Sequence, residues 1–218
     1  MLRNNRCGTP QGGVIRPLLA NLYLDGLDKA VNTGKKIKGI MVRFADDCLI
    51  LCPKGRGEEM QRQLKQWLER RKLKLNEEKT RIVDFNKESI EFLGFRVSWR
   101  KSPQGKQYPH VEPSPKSCKK MRDAIRKETT RSTLKKEPAE VFTRVNQRLR
   151  GWSNYFYYGN NTKVFSTMQY YTQNRMRRWL WKKHDKTHGQ FTQAYCNERL
   201  HNDYHLYNLP LQAAWKHV

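Results

Sequence analysis

Two adjacent carboxylates stand between two short apolar runs in the first quarter of the chain. Asp46 and Asp47 follow the apolar run 40–42 and precede the apolar run 49–51, which predicts a β-hairpin with the carboxylates at its tip. Carboxylate oxygens bind hard divalent cations, and two such cations can activate a 3′-hydroxyl and stabilise a leaving pyrophosphate. An Asp-Asp pair alone is more often a solvated turn, so the pair indicates metal chemistry only together with other segments.

The residues around this pair predict an α+β arrangement. Apolar residues recur at helical spacing before the pair and again after it, and short apolar runs mark the strands. The predicted elements are a helix over 14–31, two strands within 40–52, a helix over 58–73, a strand within 73–85 and a strand over 90–99. This order is typical of the second half of an α+β palm.

The rest of the chain predicts mainly helices. Prolines and a glycine within 101–115 indicate a loop or linker, and the following stretch 116–136 indicates a basic helix. Helical spacing then predicts a helix through 141–156, with Gly159 as its C-cap, and another helix over 163–184. Helix and loop are expected from 191 onward.

Charge points to a polyanionic partner. The formal net charge is +24, and residues 96–218 hold 25 Lys+Arg against 8 Asp+Glu. Such an excess favours nucleic acid and predicts binding that weakens steeply with salt. The net charge alone could also indicate a basic surface that serves solubility, or a ribosome-associated protein.

The cysteines and the hydropathy exclude other classes. Five cysteines form no C-x-x-C pair, which argues against a disulfide framework and a cysteine-rich zinc site. No apolar run approaches membrane-spanning length. We therefore expect a cytoplasmic protein without a membrane partner.

Taken in order, the motifs resemble those of the reverse transcriptases encoded by group II introns. The matching segments are Gly8–Ile15 with the core Pro-Gln-Gly-Gly, Pro17–Leu24, Phe44-Ala45-Asp46-Asp47, Asn76-x-x-Lys79-Thr80 and Phe92-Leu93-Gly94-Phe95. A later stretch, Arg150–Phe156, resembles the maturase-specific domain X of the same proteins. The resemblance covers nearly the whole chain, and the ordered set is far more specific than any one motif.

This resemblance implies a partial right-hand polymerase palm in 1–100, a linker and the start of a basic thumb in 101–136, and a helical thumb and maturase domain in 137–218. It implies that Asp46 and Asp47 ligate Mg²⁺ and that Lys79 lies near the pyrophosphate as a charge stabiliser or proton donor. Pro10, Gln11, Gly12 and Phe44 would lie near the incoming deoxynucleotide, with Phe44 standing where the family usually has tyrosine. Gly94 would belong to the hairpin that grips the primer.

Cations interleaved with aromatic residues mark the candidate RNA surface of the second half. The cations are Arg144, Arg148, Arg150, Arg175, Arg177, Arg178, Lys182 and Lys183. Guanidinium groups contact phosphates and aromatic rings stack on unpaired bases, although Trp152 and Trp179 at helical spacing favour core positions.

The resemblance implies a protein that binds group II intron RNA, assists splicing, and copies an RNA template from a DNA primer. The family's first catalytic aspartate would lie upstream of Met1, so we expect negligible polymerase activity from this chain alone. We also expect exposed apolar surface and an unpaired strand edge beside the hairpin. Three alternatives stay open: an enzyme completed by a separately encoded N-terminal half, a non-catalytic RNA-binding splicing factor, and a truncated remnant that does not fold stably.

Overall fold

A computed structural model describes residues 14–33, 39–184 and 191–212. The chain divides into two compact units, Met1–Asp84 and Phe85–Val218. Helices and small antiparallel sheets occur together, which confirms the α+β class. The segments 1–100, 101–136 and 137–218 remain a prediction about family domains.

The first unit packs two helices against a two-stranded hairpin. Its elements are α1 (Arg16–Asn32), β1 (Ile40–Phe44), β2 (Asp47–Leu51) and α2 (Gly57–Glu69). Met60, Leu64 and Leu68 recur every four residues and are buried on one face of α2. The core of this unit consists of Leu27, Val31, Met41, Leu64 and Leu68.

Apolar side chains of the first unit also face solvent. Leu22 on α1 and Phe44 on β1 are 66% and 65% exposed. In the described part of the chain, β1 and β2 pair only with each other. The predicted exposed apolar surface is therefore observed, and among the residues that the structure describes the strand edge is unpaired, as predicted.

The strand predicted within 73–85 is wrong. The structure has a turn there, in which the backbone N–H groups of Lys79 and Thr80 both donate to Asn76. A short polar side chain that accepts from nearby backbone N–H groups competes with strand pairing. Leu73 and Leu75 instead pack against the core of the first unit.

The second unit begins with a three-stranded antiparallel sheet in the order β3-β4-β5. Its strands are β3 (Ile90–Phe92), β4 (Phe95–Lys101) and β5 (Gln107–Pro113). The single strand predicted over 90–99 is wrong because Leu93 and Gly94, both at positive φ, form a tight turn within it.

The loop predicted over 101–115 is also wrong. Residues 103–105 form a turn, and β5 then pairs with β4 from Lys101↔Gln107 to Phe95↔Pro113. Pro109 and Pro113 are tolerated because β5 is an edge strand, where a missing N–H costs no pairing on the open side.

Helices complete the second unit. They are α3 (Pro115–Glu128), a 3₁₀ helix (Arg131–Lys135), α4 (Pro138–Tyr155), α5 (Thr162–Lys183), α6 (Phe191–Ala194), α7 (Asn197–Asn202) and α8 (Leu209–Gln212). The Ser114 hydroxyl accepts from the N–H of Ser117 and caps α3. The basic helix predicted over 116–136 thus ends at Glu128 and continues as the 3₁₀ turn.

The core of the second unit lies between α3, α4 and α5. Val141, Val145 and Leu149 are buried at the predicted helical spacing, and Trp179 is 2% exposed. Gly159 is not the C-cap of α4, because that helix ends at Tyr155 and Phe156 is its C-cap. Its φ of +102° instead belongs to a close approach, where an added Cβ would clash with the carbonyl oxygen of Val111.

No helix in the described ranges is both long and apolar enough to cross a membrane. The four cysteines within those ranges, Cys48, Cys52, Cys118 and Cys196, are free thiols, as their spacing predicted.

Candidate functional site

The predicted carboxylate pair lies at the tip of the β1–β2 hairpin. Phe44 pairs with Asp47, so Ala45 and Asp46 form a two-residue loop. Asp46 and Asp47 are both exposed. The hairpin therefore presents two neighbouring carboxylates to solvent, as predicted.

Arg43 anchors this turn, a role that the sequence reasoning missed. Its Nε lies 2.9 Å and its Nη2 2.6 Å from the carboxylate oxygens of Asp28 on α1. Its Nη1 donates to Asn21 at 3.0 Å and to the carbonyl oxygen of Ala45 at 2.9 Å. Hydrogen bonding to Asp28 raises the pKa of Arg43. The guanidinium thus ties the loop beside Asp46 to the first helix.

Ala45 needs such an anchor because its φ is +54°. Non-glycine residues rarely adopt this left-handed conformation, which costs free energy unless the surroundings hold it. The bond from Arg43 to the Ala45 carbonyl supplies that support. The signal available in the sequence was an arginine two residues before the loop, with an aspartate one helical turn from the end of α1.

The carboxylate pair fits Mg²⁺ only in part. The oxygen donors are of the right chemical type, since Mg²⁺ takes carboxylate, phosphate and water oxygens in an octahedron. Within residues 14–33, 39–184 and 191–212, however, no group of three or more Asp, Glu, His or Cys could hold a metal ion. Asp46 and Asp47 are an incomplete set, and no catalytic step follows from them alone.

Of the other residues predicted for nucleotide chemistry that the structure describes, Phe44 adjoins the carboxylate pair and Lys79 is not bonded to it. Lys79 is exposed in the turn after Asn76, and no hydrogen bond or ion pair joins it to Asp46 or Asp47. Phe44 is exposed beside the loop. Pro10, Gln11 and Gly12 lie outside the described residues.

The second unit brings two separate sequence motifs into one groove. The turn at Leu93-Gly94 packs against the end of α4, where the hydroxyl of Tyr155 donates to the carbonyl oxygen of Leu93 at 3.0 Å. On the other side, the Ser117 hydroxyl donates to the carbonyl oxygen of Gly94 at 2.9 Å. Glycine fits this turn because its φ is +80° and a Cβ would lie 2.9 Å from the Ser117 hydroxyl.

This groove, between the β3–β4 turn and helices α3 and α4, has a volume of about 460 Å³. Two of the residues predicted for nucleic acid, Gly94 and Arg148, line it together. Lys120 adds a second cation, while Trp152 and Tyr155 supply aromatic surface. The buried indole Nε1 of Trp152 has no hydrogen-bond partner among the described residues. We call this the α3–α4 groove.

The predicted cations of α4 are exposed and held by neighbours. Arg144 pairs with Glu140 at 2.8 Å, and Arg148 pairs with Glu128 at 2.6 Å. Arg150 lies over the ring of Tyr207, 4.7 Å from its centroid. All three guanidinium groups remain open to solvent on one side.

The predicted cations of α5 differ among themselves. Arg177 is 7% exposed and donates to the carbonyl oxygen of Tyr195 and to two asparagine side chains. Arg175 donates to Thr129 at the end of α3, and Lys183 donates to the carbonyl oxygens of Leu134 and Lys136. Arg178 and Lys182 are exposed.

Arg177 is therefore buried and bonded to groups of the protein itself, and its assignment as an RNA contact stays a prediction. Arg175 and Lys183 likewise hold the ends of neighbouring elements. Helical spacing placed these cations on α5, but only the packed structure shows which carbonyl oxygens their side chains reach.

Comparisons with known proteins agree with this arrangement of motifs. Residues 2–97 match the family described as reverse transcriptase (RNA-dependent DNA polymerase). Residues 118–195 match the family described as group II intron, maturase-specific domain. Comparison with curated proteins gives no match.

Both matches occur in the order that the motifs require, and together they span most of the chain. The first includes the carboxylate hairpin and the Leu93-Gly94 turn, and the second includes all of α4 and α5. The chain belongs to the reverse transcriptase/maturases of group II introns, whose work is splicing and reverse transcription.

Proposed function

We propose that this chain binds folded group II intron RNA through its second unit and thereby assists splicing. The observation that carries the proposal is the α3–α4 groove, where the turn at Gly94 and the helix bearing Arg148 form one surface with two cations and three aromatic rings. Cations next to aromatic side chains suit an RNA strand, because phosphates and unstacked bases can be bound together.

Charge supports the same proposal. The predominance of Lys and Arg over Asp and Glu in residues 96–218 gives that region a net charge of +17. Each phosphate that an exposed cation neutralises releases a condensed counterion, so affinity for RNA falls as salt rises. Exposed cations such as Lys120, Arg150 and Lys182 contribute to this effect, whereas the buried Arg177 does not.

Gly151 gives the groove its width. It lies in the last turns of α4, lines the groove, and a Cβ at this position would meet nothing within 4 Å. Glycine inside a helix costs roughly 0.5–1 kcal/mol relative to alanine. Because no steric constraint of the fold requires it, we propose that the open space serves the approach of the RNA backbone.

Two substitutions at Gly151 separate binding from folding. Gly151→Ala should raise the midpoint of thermal unfolding and weaken RNA binding only slightly, since one methyl group narrows the groove a little. Gly151→Trp should fill the groove and weaken binding of a labelled intron-domain RNA by tenfold or more, measured by fluorescence anisotropy. Equal affinity for wild type and Gly151→Trp, with both folded, would contradict the proposal.

Charge provides the second test. Lys120→Glu should lower RNA affinity and the slope of log affinity against log salt, whereas Lys106→Glu, an exposed lysine of the β4–β5 turn outside the groove, should change both much less. Asp46→Ala should leave RNA binding intact. Reversal of Arg175 or Arg177 is a poor test, because loss of their bonds to protein carbonyl oxygens would itself destabilise the second unit.

A second candidate function is nucleotidyl transfer at Asp46 and Asp47, favoured by the anchored, exposed carboxylate loop. We propose that this pair does not support DNA synthesis by itself, because two carboxylates leave most of the coordination of two Mg²⁺ ions unsupplied. Primer extension on an RNA template with deoxynucleotides and Mg²⁺ should stay at background. Extension by this chain alone that Asp46→Ala abolishes would refute this. Extension only after adding a separately produced N-terminal half would identify a two-part enzyme.

A further inference from the structure

A second cavity of the second unit shares no lining residue with the α3–α4 groove. It has a volume of about 350 Å³ and lies between the β4–β5 face of the sheet and helices α3 and α5. Four cations line it, namely Arg96, Arg100, Arg122 and Lys163, against the single carboxylate of Glu112. We call it the sheet-side cavity.

Both oxygens of the Glu112 carboxylate already have partners. One of its oxygens accepts from both Arg96 and Arg100, and the other lies 3.2 Å from Nε2 of His110. The side chain of Glu112 is 8% exposed, so it has no further surface to offer to the remaining cations.

Arg122 and Lys163 therefore carry uncompensated charge at the rim. Arg122 lies on α3 and Lys163 on α5, and both are exposed. Neither forms an ion pair with a carboxylate in the described ranges. Two cations held on different helices around one opening attract an anion of the size of a phosphate group.

The inner walls are apolar. Pro113, Val164, Met168 and Tyr171 line the cavity beneath the charged rim. The Tyr171 hydroxyl, 3.4 Å from the carbonyl oxygen of Arg122, joins α5 to α3 at this place. A flat apolar group that bears an anion would satisfy both the walls and the rim.

We propose that the sheet-side cavity binds one unpaired nucleotide of a folded RNA, with the base against the apolar walls and the adjoining phosphates at Arg122 and Lys163. This inference rests on the proposed RNA-binding function and assigns a specific subsite to it. The volume falls at the low end of the range of small-ligand pockets, roughly 300–1,000 Å³, which suits a single extruded nucleotide and excludes a double helix. An acidic peptide would satisfy the rim but would leave the apolar walls uncovered.

The test compares two labelled stem-loop RNAs that differ only by one bulged 4-thiouridine. The full chain should bind the bulged RNA about tenfold more tightly than the fully paired RNA, since an extruded base gains stacking that a paired base cannot. Irradiation should cross-link the bulge to a peptide that contains Met168 and Tyr171, identified by mass spectrometry.

Variants locate the effect. Arg122→Glu combined with Lys163→Glu should abolish the preference for the bulged RNA and the cross-link, while Lys127→Glu, an exposed lysine on α3 outside the cavity, should keep both. Thr167→Trp at the exposed edge of the cavity should fill it, remove the preference and leave affinity for the paired RNA unchanged. Thermal unfolding confirms that each variant is folded.

The outcomes separate this inference from the proposed function. If the chain binds neither RNA, both fail. If it binds both RNAs equally, or if the preference survives Arg122→Glu with Lys163→Glu, only the sheet-side assignment fails. If an acidic peptide binds in an Arg122-dependent manner and no RNA preference exists, the cavity belongs to a protein partner and the inference is overturned.

Discussion

Replacement of Arg43 by alanine tests whether the carboxylate loop is held by the network that the structure shows. The side chain of Arg43 is 10% exposed and that of Asp28 is 31% exposed. Removal of one partner from a buried pair costs about 3–5 kcal/mol, and an exposed pair contributes about 0–1 kcal/mol. This pair lies between these limits, so we expect a local destabilisation of about 2–3 kcal/mol.

Hydrogen exchange with mass spectrometry measures this loss directly on the peptide that spans 40–51. Because a factor of ten corresponds to about 1.4 kcal/mol, amides of β1 and β2 should exchange about 30-fold to 150-fold faster in Arg43→Ala. Arg56→Ala is the matched control, since its ion pair with Glu59 is exposed on both sides. It should leave exchange in this peptide unchanged.

A double-mutant cycle identifies the partner. If the Arg43–Asp28 pair carries the effect, Asp28→Asn and Arg43→Ala together should cost less than the sum of the two single changes. The reasoning is refuted if Arg43→Ala leaves exchange at the wild-type rate, or if the wild-type hairpin exchanges as fast as an unstructured peptide.

Two further predictions concern the second unit. Gly159→Ala should lower the free energy of unfolding of this unit by more than about 1 kcal/mol, because a Cβ would clash with Val111 and strain the backbone. Gly105 also has a positive φ but has open space around it, so Gly105→Ala should cost only about 1 kcal/mol. Urea denaturation compares the two variants. Burial opposes ionisation of Glu112, but hydrogen bonds from Arg96 and His110 and the charges of Arg96 and Arg100 lower its pKa overall. Its stabilisation is therefore present above the unfolded pKa of about 4.3 and is lost as pH falls through the lower folded value. Glu112→Gln should destabilise the unit at pH 7 and much less at pH 3, and equal loss at both values would contradict the assignment.

Periodicity predicted most of the helices and the carboxylate hairpin. The four-residue spacing of apolar residues in α2 and α4 is a property of the helix itself, so it is visible without tertiary structure. The apolar runs around Asp46 and Asp47 were visible for the same reason. The bounds of α5 were also close to the prediction, since the pattern from 163 to 184 has no proline or glycine.

The sheet of the second unit was harder to predict, because its turns and its edge strand carry weak signals in the sequence. Leu93 in a positive-φ turn carries no turn signal, since leucine rarely adopts that conformation. Prolines in β5 indicated a loop, yet an edge strand tolerates them. The cations of α5 look alike in the sequence. Contacts over long sequence separation, such as Arg177 with Tyr195 and Lys183 with Leu134, distinguish the side chains that are bonded to the protein from those that are exposed.

Separate cores make the two candidate activities experimentally separable. The first unit has its own core around Leu27 and Leu64, and the second has a larger one around Phe142 and Phe165. A substitution at Asp46 removes one exposed carboxylate and touches neither core. Loss of RNA binding in such a variant would therefore place the carboxylate loop in the RNA interface. Retention would leave RNA binding to the cationic surfaces of the second unit.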